Sequence, residues 1–572
     1  MTDRPFSAPE RALAHGQLDQ DDASGSNTLI AGDQTPAAEE EKVEHDFNEQ
    51  TFYVPVKQVV VIFLTLGLID FVALMDQTTL AASLQVIGQD LNAGAQTSLI
   101  SSSYFLTSTA CQLLYGRFSD VVGRKPLLLI LLVIFFIGAL GASLAPDYIT
   151  LVAFRALGGI GGGGLMTVAQ IIVSDVVPLR QRGKYQGILG ALVALANGVG
   201  PVIGGALTDR TVATGGWRNI FRLSLPISVL GFLCVMVALP LKKVEGDWVR
   251  KMKAIDWAGS FLSLAAATLI VLGFTWAGGT YSWVSAHVLA TLISGLVLAV
   301  VFCLWQWKGD RPYRPALMPL HIFKVHIVCG ASITQFINGW LFVSQVYLIP
   351  QFYQIVYGYD AVKSGLMLIP LTVVQTALST IAGLLITWTG RYRELLLLGW
   401  ACWATGLGLI STLQAGSGVD KQIGYTVFTG IGVGLTLQPS LIAIQGAVPR
   451  KTMAVVTAMR NFVRNLGGAI GLALSGTIVR SFLSTDLADS GQAGIAQPEV
   501  QEAFRNGFRL CFLVMASLAT GGFVTALFLL RHKSVDRSDD SDLKEQVRKE
   551  LAEKKAAKAL KRARECVVKT AS

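Results

Sequence analysis

The sequence predicts an all-α integral membrane protein with fourteen transmembrane helices, and three observations carry that expectation. The 572 residues are 52% hydrophobic and only 15% charged, too apolar for a soluble chain of ordinary composition. Apolar runs of about twenty residues, the length that crosses ~30 Å of hydrocarbon, recur from about residue 57 to 530 with no room between them for a soluble domain. Basic residues gather in alternate short loops, which is the pattern of membrane orientation.

Residues 1–52 are polar and acidic (Glu39, Glu40, Glu41, Glu44) and hold too little apolar surface to fold alone, so they read as a disordered tail. Helix starts near 57, 98, 126, 149, 184 and 218 make a first six-helix bundle within 53–242. Starts near 256 and 287 make a linker pair within 243–324, and starts near 325, 362, 393, 423, 455 and 508 make a second bundle within 325–530. Residues 531–572 form a basic tail in which Lys554, Lys555, Lys558, Lys561, Arg562 and Arg564 recur at helical spacing. The loops after even-numbered helices carry Arg117, Arg124, Lys125, Arg180, Arg182, Lys184, Lys242, Lys243, Arg250, Lys251, Lys253, Arg311, Arg314, Arg391, Arg393, Arg450 and Lys451. Positive charge stays inside, so these loops and both tails are expected in the cytosol.

The net charge of +9 is spread over loops and a tail rather than one globular face, which excludes a nucleic-acid partner. Cys111, Cys234, Cys303, Cys329, Cys402 and Cys511 lie in apolar runs, Cys566 lies in the tail, and none has metal-ligand spacing. No metal site is expected. The histidines (His15, His45, His287, His321, His326, His532) form no catalytic constellation, which argues against a membrane enzyme.

Three motifs carry chemistry. Between the second and third spans stands Gly116-Arg117-Phe118-Ser119-Asp120-Val121-Val122-Gly123-Arg124-Lys125-Pro126. Its glycines permit a tight turn, and Asp120 can pair with an arginine or face a helix amino terminus, so the cluster can latch two bundles in one state. A degenerate echo, Gly390-Arg391-Tyr392-Arg393, follows the tenth span, as expected of two related halves. The fourth span carries Arg155 beside Gly158-Gly159-Ile160-Gly161-Gly162-Gly163-Gly164. An arginine among apolar residues is costly unless it meets an acid or water, so it marks a transport pathway. The fifth span carries Gly198-Val199-Gly200-Pro201-Val202-Ile203-Gly204-Gly205, where proline frees a carbonyl and glycines allow close helix approach.

These motifs resemble those of the major facilitator superfamily, and the likeness runs over nearly the whole membrane region. It narrows to the fungal fourteen-helix drug:proton antiporter branch through Leu74-Met75-Asp76-Gln77-Thr78-Thr79, Asp256-Trp257-Ala258-Gly259, Trp276-Ala277-Gly278-Gly279, Ser364-Gly365 and Phe462-Val463-Arg464-Asn465-Leu466-Gly467-Gly468. The chain departs from the pattern at Gly158, Gln85, Arg222 and Ser224. The resemblance implies two six-helix bundles with two inserted helices, gating by Gly116, Asp120, Gly123, Arg124 and Lys125, and an antiporter helix marked by Gly200, Pro201, Gly204 and Gly205. That helix biases the direction toward export.

A proton-coupled carrier needs a titrating group in its pathway. Asp70 and Asp76 lie in the first span, offset by roughly 120° at about 100° per residue. The resemblance makes Asp76 the family position, assisted by Arg155, with Asp70 second. The later spans hold no acid away from their ends. Their Gln335, Asn338, Gln345, Gln351, Gln375, Gln438 and Gln445 suggest a neutral hydrogen-bonding wall of a wet cavity, while Arg460 and Arg464 suit either an anionic cargo or a gate. The expected activity is proton-coupled export of a secondary metabolite, toxin, glycolipid or xenobiotic across the plasma membrane. The chain is expected to act as a monomer in the lipid bilayer and to need no cofactor beyond the proton gradient. A vacuolar importer of basic amino acids is the alternative, and a receptor on the same fold the remote one.

Overall fold

The computed structural model describes residues 56–93, 98–177, 179–209, 216–239, 255–278, 281–309, 316–414, 416–449, 452–487 and 498–531. The expected tails and the loop cations Lys242, Lys243, Arg250, Lys251, Lys253, Arg311, Arg314, Arg450 and Lys451 lie outside the described residues, as do the side chains of Arg180 and Lys184.

Fourteen long helices run through the described residues: α1 (Val56–Asp90), α2 (Ser98–Val122), α3 (Arg124–Leu144), α4 (Tyr148–Val176), α5 (Leu179–Asp209), α6 (Arg218–Ala238), α7 (Trp257–Trp276), α8 (Ala286–Gly309), α9 (His326–Val356), α10 (Ile369–Thr389), α11 (Arg393–Ile410), α12 (Val419–Ala447), α13 (Met453–Leu487) and α14 (Pro498–Leu529). Two start earlier than hydropathy predicts: α5 at Leu179 rather than near 184, and α14 at Pro498 rather than near 508. Their first turns are polar, and a helix extending beyond the hydrocarbon leaves no hydropathy signal. Pro498 fits the first helical position because its missing N–H would have no partner there. The expected start near 362 is a separate short helix, Ala361–Leu366. Pro370 has no N–H for the Leu366 carbonyl, and its ring crowds that carbonyl, so the chain breaks before α10.

Twelve of the described helices are apolar enough to span a membrane by composition alone. The exceptions, α2 and α5, are sheltered by neighbouring helices. In α2, Ser101, Ser103, Ser108, Thr109 and Gln112 are all buried. Thr107 Oγ1 donates to Ser103 O at 3.1 Å and across to Ala156 O of α4 at 2.7 Å, so part of the polar face bonds to a neighbouring helix rather than facing lipid.

The packing repeats with an offset of eight helices. Helix α1 packs on α5 and α6 as α9 does on α13 and α14, and α4 on α2 and α3 as α12 does on α10 and α11. The halves meet along α2–α13 and α5–α10, themselves an equivalent pair, while α7 pairs with α8 and leans on α2 and α13. Local devices repeat as well. Gly123 (φ 96°) turns α2 into α3 and Gly390 (φ 70°) turns α10 into α11, a backbone region that excludes most side chains. After the first turn, Lys125 Nζ donates to Met236 O and Leu239 O at 2.7 and 2.8 Å. After the second, Arg393 Nη2 donates to Leu527 O at 2.9 Å. Each cation thereby satisfies free carbonyls at the end of the sixth helix of its half.

Candidate functional site

A cavity of about 850 Å³ opens between the carboxyl ends of α1, α7, α9 and α13 and the amino ends of α2 and α14. That is the face opposite the basic loops, which the positive-inside pattern expects in the cytosol. Its wall mixes Gln89, Asn92, Ser101, Thr275, Gln351 and Thr477 with Phe105, Val343, Leu472 and Phe508, a mainly apolar lining with a few polar handles.

An ion pair lies buried near one edge of this cavity. Arg155 Nη1 of α4 meets Asp76 Oδ2 of α1 at 2.5 Å, with side chains 4% and 2% exposed. The guanidinium also stacks over Tyr104 at 4.5 Å and Phe221 at 5.5 Å, and Gln77 Nε2 donates to the Tyr104 hydroxyl at 3.4 Å. Phe105, adjacent to Tyr104, lines the cavity and packs on Tyr347 at 6.2 Å. Tyr104 thus covers the ion pair, and Phe105 and Tyr347 face the open space. The α4 glycines seat Arg155 and its helix on α2: Gly159 and Gly163 lie against Tyr104 and Ser108, so close that a Cβ would overlap backbone. Asp70, two turns nearer the cytosol, is 5% exposed and its Oδ1 has no hydrogen-bond partner. The two acids are thus in different surroundings: Asp76 is ion-paired, and Asp70 has an unbonded carboxyl oxygen among the described residues.

None of the five polar residues expected to wall the cavity lines it. Four of them join helices instead. Gln335 Nε2 donates to Ser440 Oγ at 2.5 Å, Asn338 Nδ2 to Thr436 Oγ1 at 3.2 Å, and Trp403 Nε1 to Gln345 Oε1 at 3.2 Å. Gln445 Nε2 donates to Thr457 Oγ1 at 3.0 Å and its Oε1 accepts from Arg182 Nη1 at 2.7 Å; Gln438 is 8% exposed. Of the longer polar set only Gln351 faces the cavity. Glutamines inside spans bond across helix interfaces as readily as they line water, and a helix wheel does not separate the two. The aromatics Tyr104, Phe105 and Tyr347, by contrast, gave no periodic signal against their apolar surroundings.

The ends that carry the basic loops are tied together. Arg124 bridges Asp120 at 2.6 Å and Asp175 at 2.8 Å. Both acids belong to the first bundle, so these pairs brace α2, α3 and α4 rather than crossing between bundles. The crossing is made by neighbouring groups. Gly116 lies against Ala454, Val455 and Ala458 of α13, and Arg182 of α5 reaches Gln445 of α12. Arg117 donates to Ala316 O at 2.7 Å and Phe118 packs on Trp257 at 5.6 Å, tying the same loop to the inserted helices.

The α5 glycines serve packing against α1. A Cβ on Gly200 would overlap the Thr78 side chain and one on Gly204 the Thr79 carbonyl, and Thr78 Oγ1 donates to Ala196 O at 3.1 Å. Gly205 and Pro201 are buried beside them, and Gly365 approaches Pro201 from the second half. Gly204→Val is expected to cost about 1–3 kcal/mol by overpacking. A melting curve of the detergent-solubilised variant followed by size exclusion checks this; an unchanged melting point would contradict the close approach.

The sequence model of the Major Facilitator Superfamily matches residues 66–472. Among similar proteins, "Efflux pump dotC" of Dothistroma septosporum is 33% identical over 443 residues, 77% of this chain and 75% of that one. "Citrate exporter 1" of Yarrowia lipolytica is 30% identical over 511 residues, 86% of this chain and 75% of that one. Among solved structures, the proton:xylose symporter XylE superposes with a TM-score of 0.59 at 14% identity, covering 84% of this chain and 98% of that one, a likeness of fold.

Proposed function

Because the chain belongs to the Major Facilitator Superfamily, whose members here are transporters and not enzymes, we propose that it is a proton-coupled exporter of a small organic molecule. The observation that carries the coupling is the Asp76–Arg155 pair buried beside the cavity. Contact with Arg155 and a bound proton are alternative ways to neutralise the Asp76 carboxylate, so a helix shift that parts the pair links proton binding to the change of conformation. Proton entry from outside then favours return to the inward-open state, and proton release inside resets the pair. Export as the direction is supported by the names of the relatives and by the glycine–proline helix α5. The chain works as a monomer in the plasma membrane, with the proton gradient as its only energy source and no cofactor.

Cells with and without the protein, compared for extracellular metabolites, test the reading. One or more compounds are expected to fall outside cells lacking it, and to fall equally when nigericin collapses the pH gradient in cells that have it. Unchanged extracellular metabolites together with loss of vacuolar lysine or arginine would overturn export in favour of vacuolar import.

A further inference from the structure

Among the described residues the second bundle holds two cations with no acid paired to them, Arg460 buried and Arg464 half-buried. Arg460 and Arg464 stand one turn apart on α13, and Arg460 is 2% exposed. Arg460 Nη1 reaches Gln170 Oε1 at 3.4 Å and Asn461 Oδ1 at 3.0 Å, its Nη2 reaches Leu437 O at 3.3 Å, and its Nε has no acceptor. Arg464 donates only through Nε, to Asn338 Oδ1 at 2.9 Å, and packs its guanidinium 5.2 Å from the Phe342 ring. Both terminal amino groups of Arg464 lack a protein acceptor among the described residues. The one buried acid near the pathway with a cation, Asp76, is already neutralised by Arg155.

Their position is on the transport path. Arg464 precedes Ala469, the first α13 residue of the cavity wall, and Asn338 precedes Val343, the first α9 residue, by the same five positions. Five residues are ~7.5 Å along a helix, so both partners sit one step below the cavity floor. Arg460, a further turn down, bridges to α4 of the other bundle through Gln170. A cation in such a place is tolerated only with a counter-charge or ample hydrogen bonds, and neutral amides supply only part of that.

We propose that the transported molecule is an organic anion, and that Arg464 receives its carboxylate through the two terminal amino groups while Arg460 supplies a second positive charge beneath. A guanidinium fork is matched to a carboxylate held by two parallel hydrogen bonds. The same pair repels a cationic cargo. This assignment rests on the export reading and names the class of molecule for that pathway.

Purified wild-type protein is tested first by thermal melting with citrate, succinate, benzoate or tetraphenylphosphonium, and inside-out vesicles are then loaded with the same four probes under a pH gradient. At least one carboxylate is expected to raise the melting temperature and to accumulate, and tetraphenylphosphonium to do neither. Arg464→Gln is expected to weaken that carboxylate's apparent affinity more than tenfold. Arg464→Lys, which keeps the charge and loses the fork, should weaken it several-fold while melting like the parent without ligand. Accumulation of tetraphenylphosphonium with no response to any carboxylate overturns the anion site and leaves export standing. Carboxylate-induced stabilisation without gradient-driven movement of any probe supports the anion site and counts against export. Full carboxylate affinity in a folded Arg464→Gln protein overturns the assignment to Arg464, as does the absence of any response to all four probes.

Discussion

Asp76→Asn is expected to collapse the concentration gradient that the transporter sustains. One proton falling through one pH unit releases about 1.4 kcal/mol, enough for about a tenfold substrate gradient if one proton moves per cycle. With asparagine in place, Arg155 keeps a neutral acceptor at the contact of 2.5 Å, so its charge loses the counter-ion but not the hydrogen bond. No group remains to carry the proton, and accumulation in vesicles should drop to the level of passive equilibration while downhill exchange continues. Arg155→Gln is a harsher change. It strands a carboxylate that is 2% exposed, a cost of about 3–5 kcal/mol when one partner of a buried pair is removed, and it should lower the yield of folded protein. If Asp76 only braces α1 against α4, Asp76→Asn would instead slow driven and downhill movement alike, and the ratio of the two would match the parent. In that event Asp70, buried with no partner for its Oδ1, becomes the residue to neutralise next.

The fold was legible because the bilayer imposes length and polarity on every span, and fourteen apolar segments leave few arrangements. Hydropathy marked even α2, whose buried serines and threonines depress its apolar average, because Leu, Tyr and Phe residues are interspersed among them. It missed the polar first turns of α5 and α14, which lie beyond the region that hydropathy reports on. The ion pair was half legible. A lone arginine in the fourth span demands an anion, and Asp76 was one of two acids in the first span, but only the structure separates the paired acid from Asp70. The cavity wall was not legible. Gln335, Asn338 and Gln345 are chemically suited to line water, yet each is directed at another helix. Facing depends on the rotation of a helix about its axis, which is fixed by contacts such as Gly467 against Phe336 and Gly471 against Trp340 and not by composition. The signature loop shows a related limit. Its charges suggested a latch between bundles, and the contacts between bundles are made by Gly116 and by the unmarked Arg182.

Arg124→Gln should open the cytoplasmic face. Arg124 holds both Asp120 and Asp175, with its own side chain 13% exposed, and glutamine would leave two neighbouring acids without the cation that bridges them. Removing one member of a buried charged network costs about 3–5 kcal/mol, and here the cost falls on the arrangement of α2, α3 and α4 that seats Gly116 against α13. If the inward-open state frees those acids to water, the penalty applies to the outward-open state alone and shifts the balance between the two by about 10²–10⁴-fold. Asp120→Asn is milder, since Arg124 keeps Asp175 at 2.8 Å and the asparagine can still accept a hydrogen bond. Ala454, 7% exposed and packed on Gly116, reports the change. In a background without other cysteines, Ala454→Cys should resist a water-soluble maleimide applied from the cytoplasmic side of vesicles. Adding Arg124→Gln should make it react at least tenfold faster, adding Asp120→Asn should give a smaller increase, and substrate turnover should fall in the same order while the proteins still elute as folded monomers. Equal labelling and equal turnover in all three would mean that the charged network braces the first bundle in every state and takes no part in the switch.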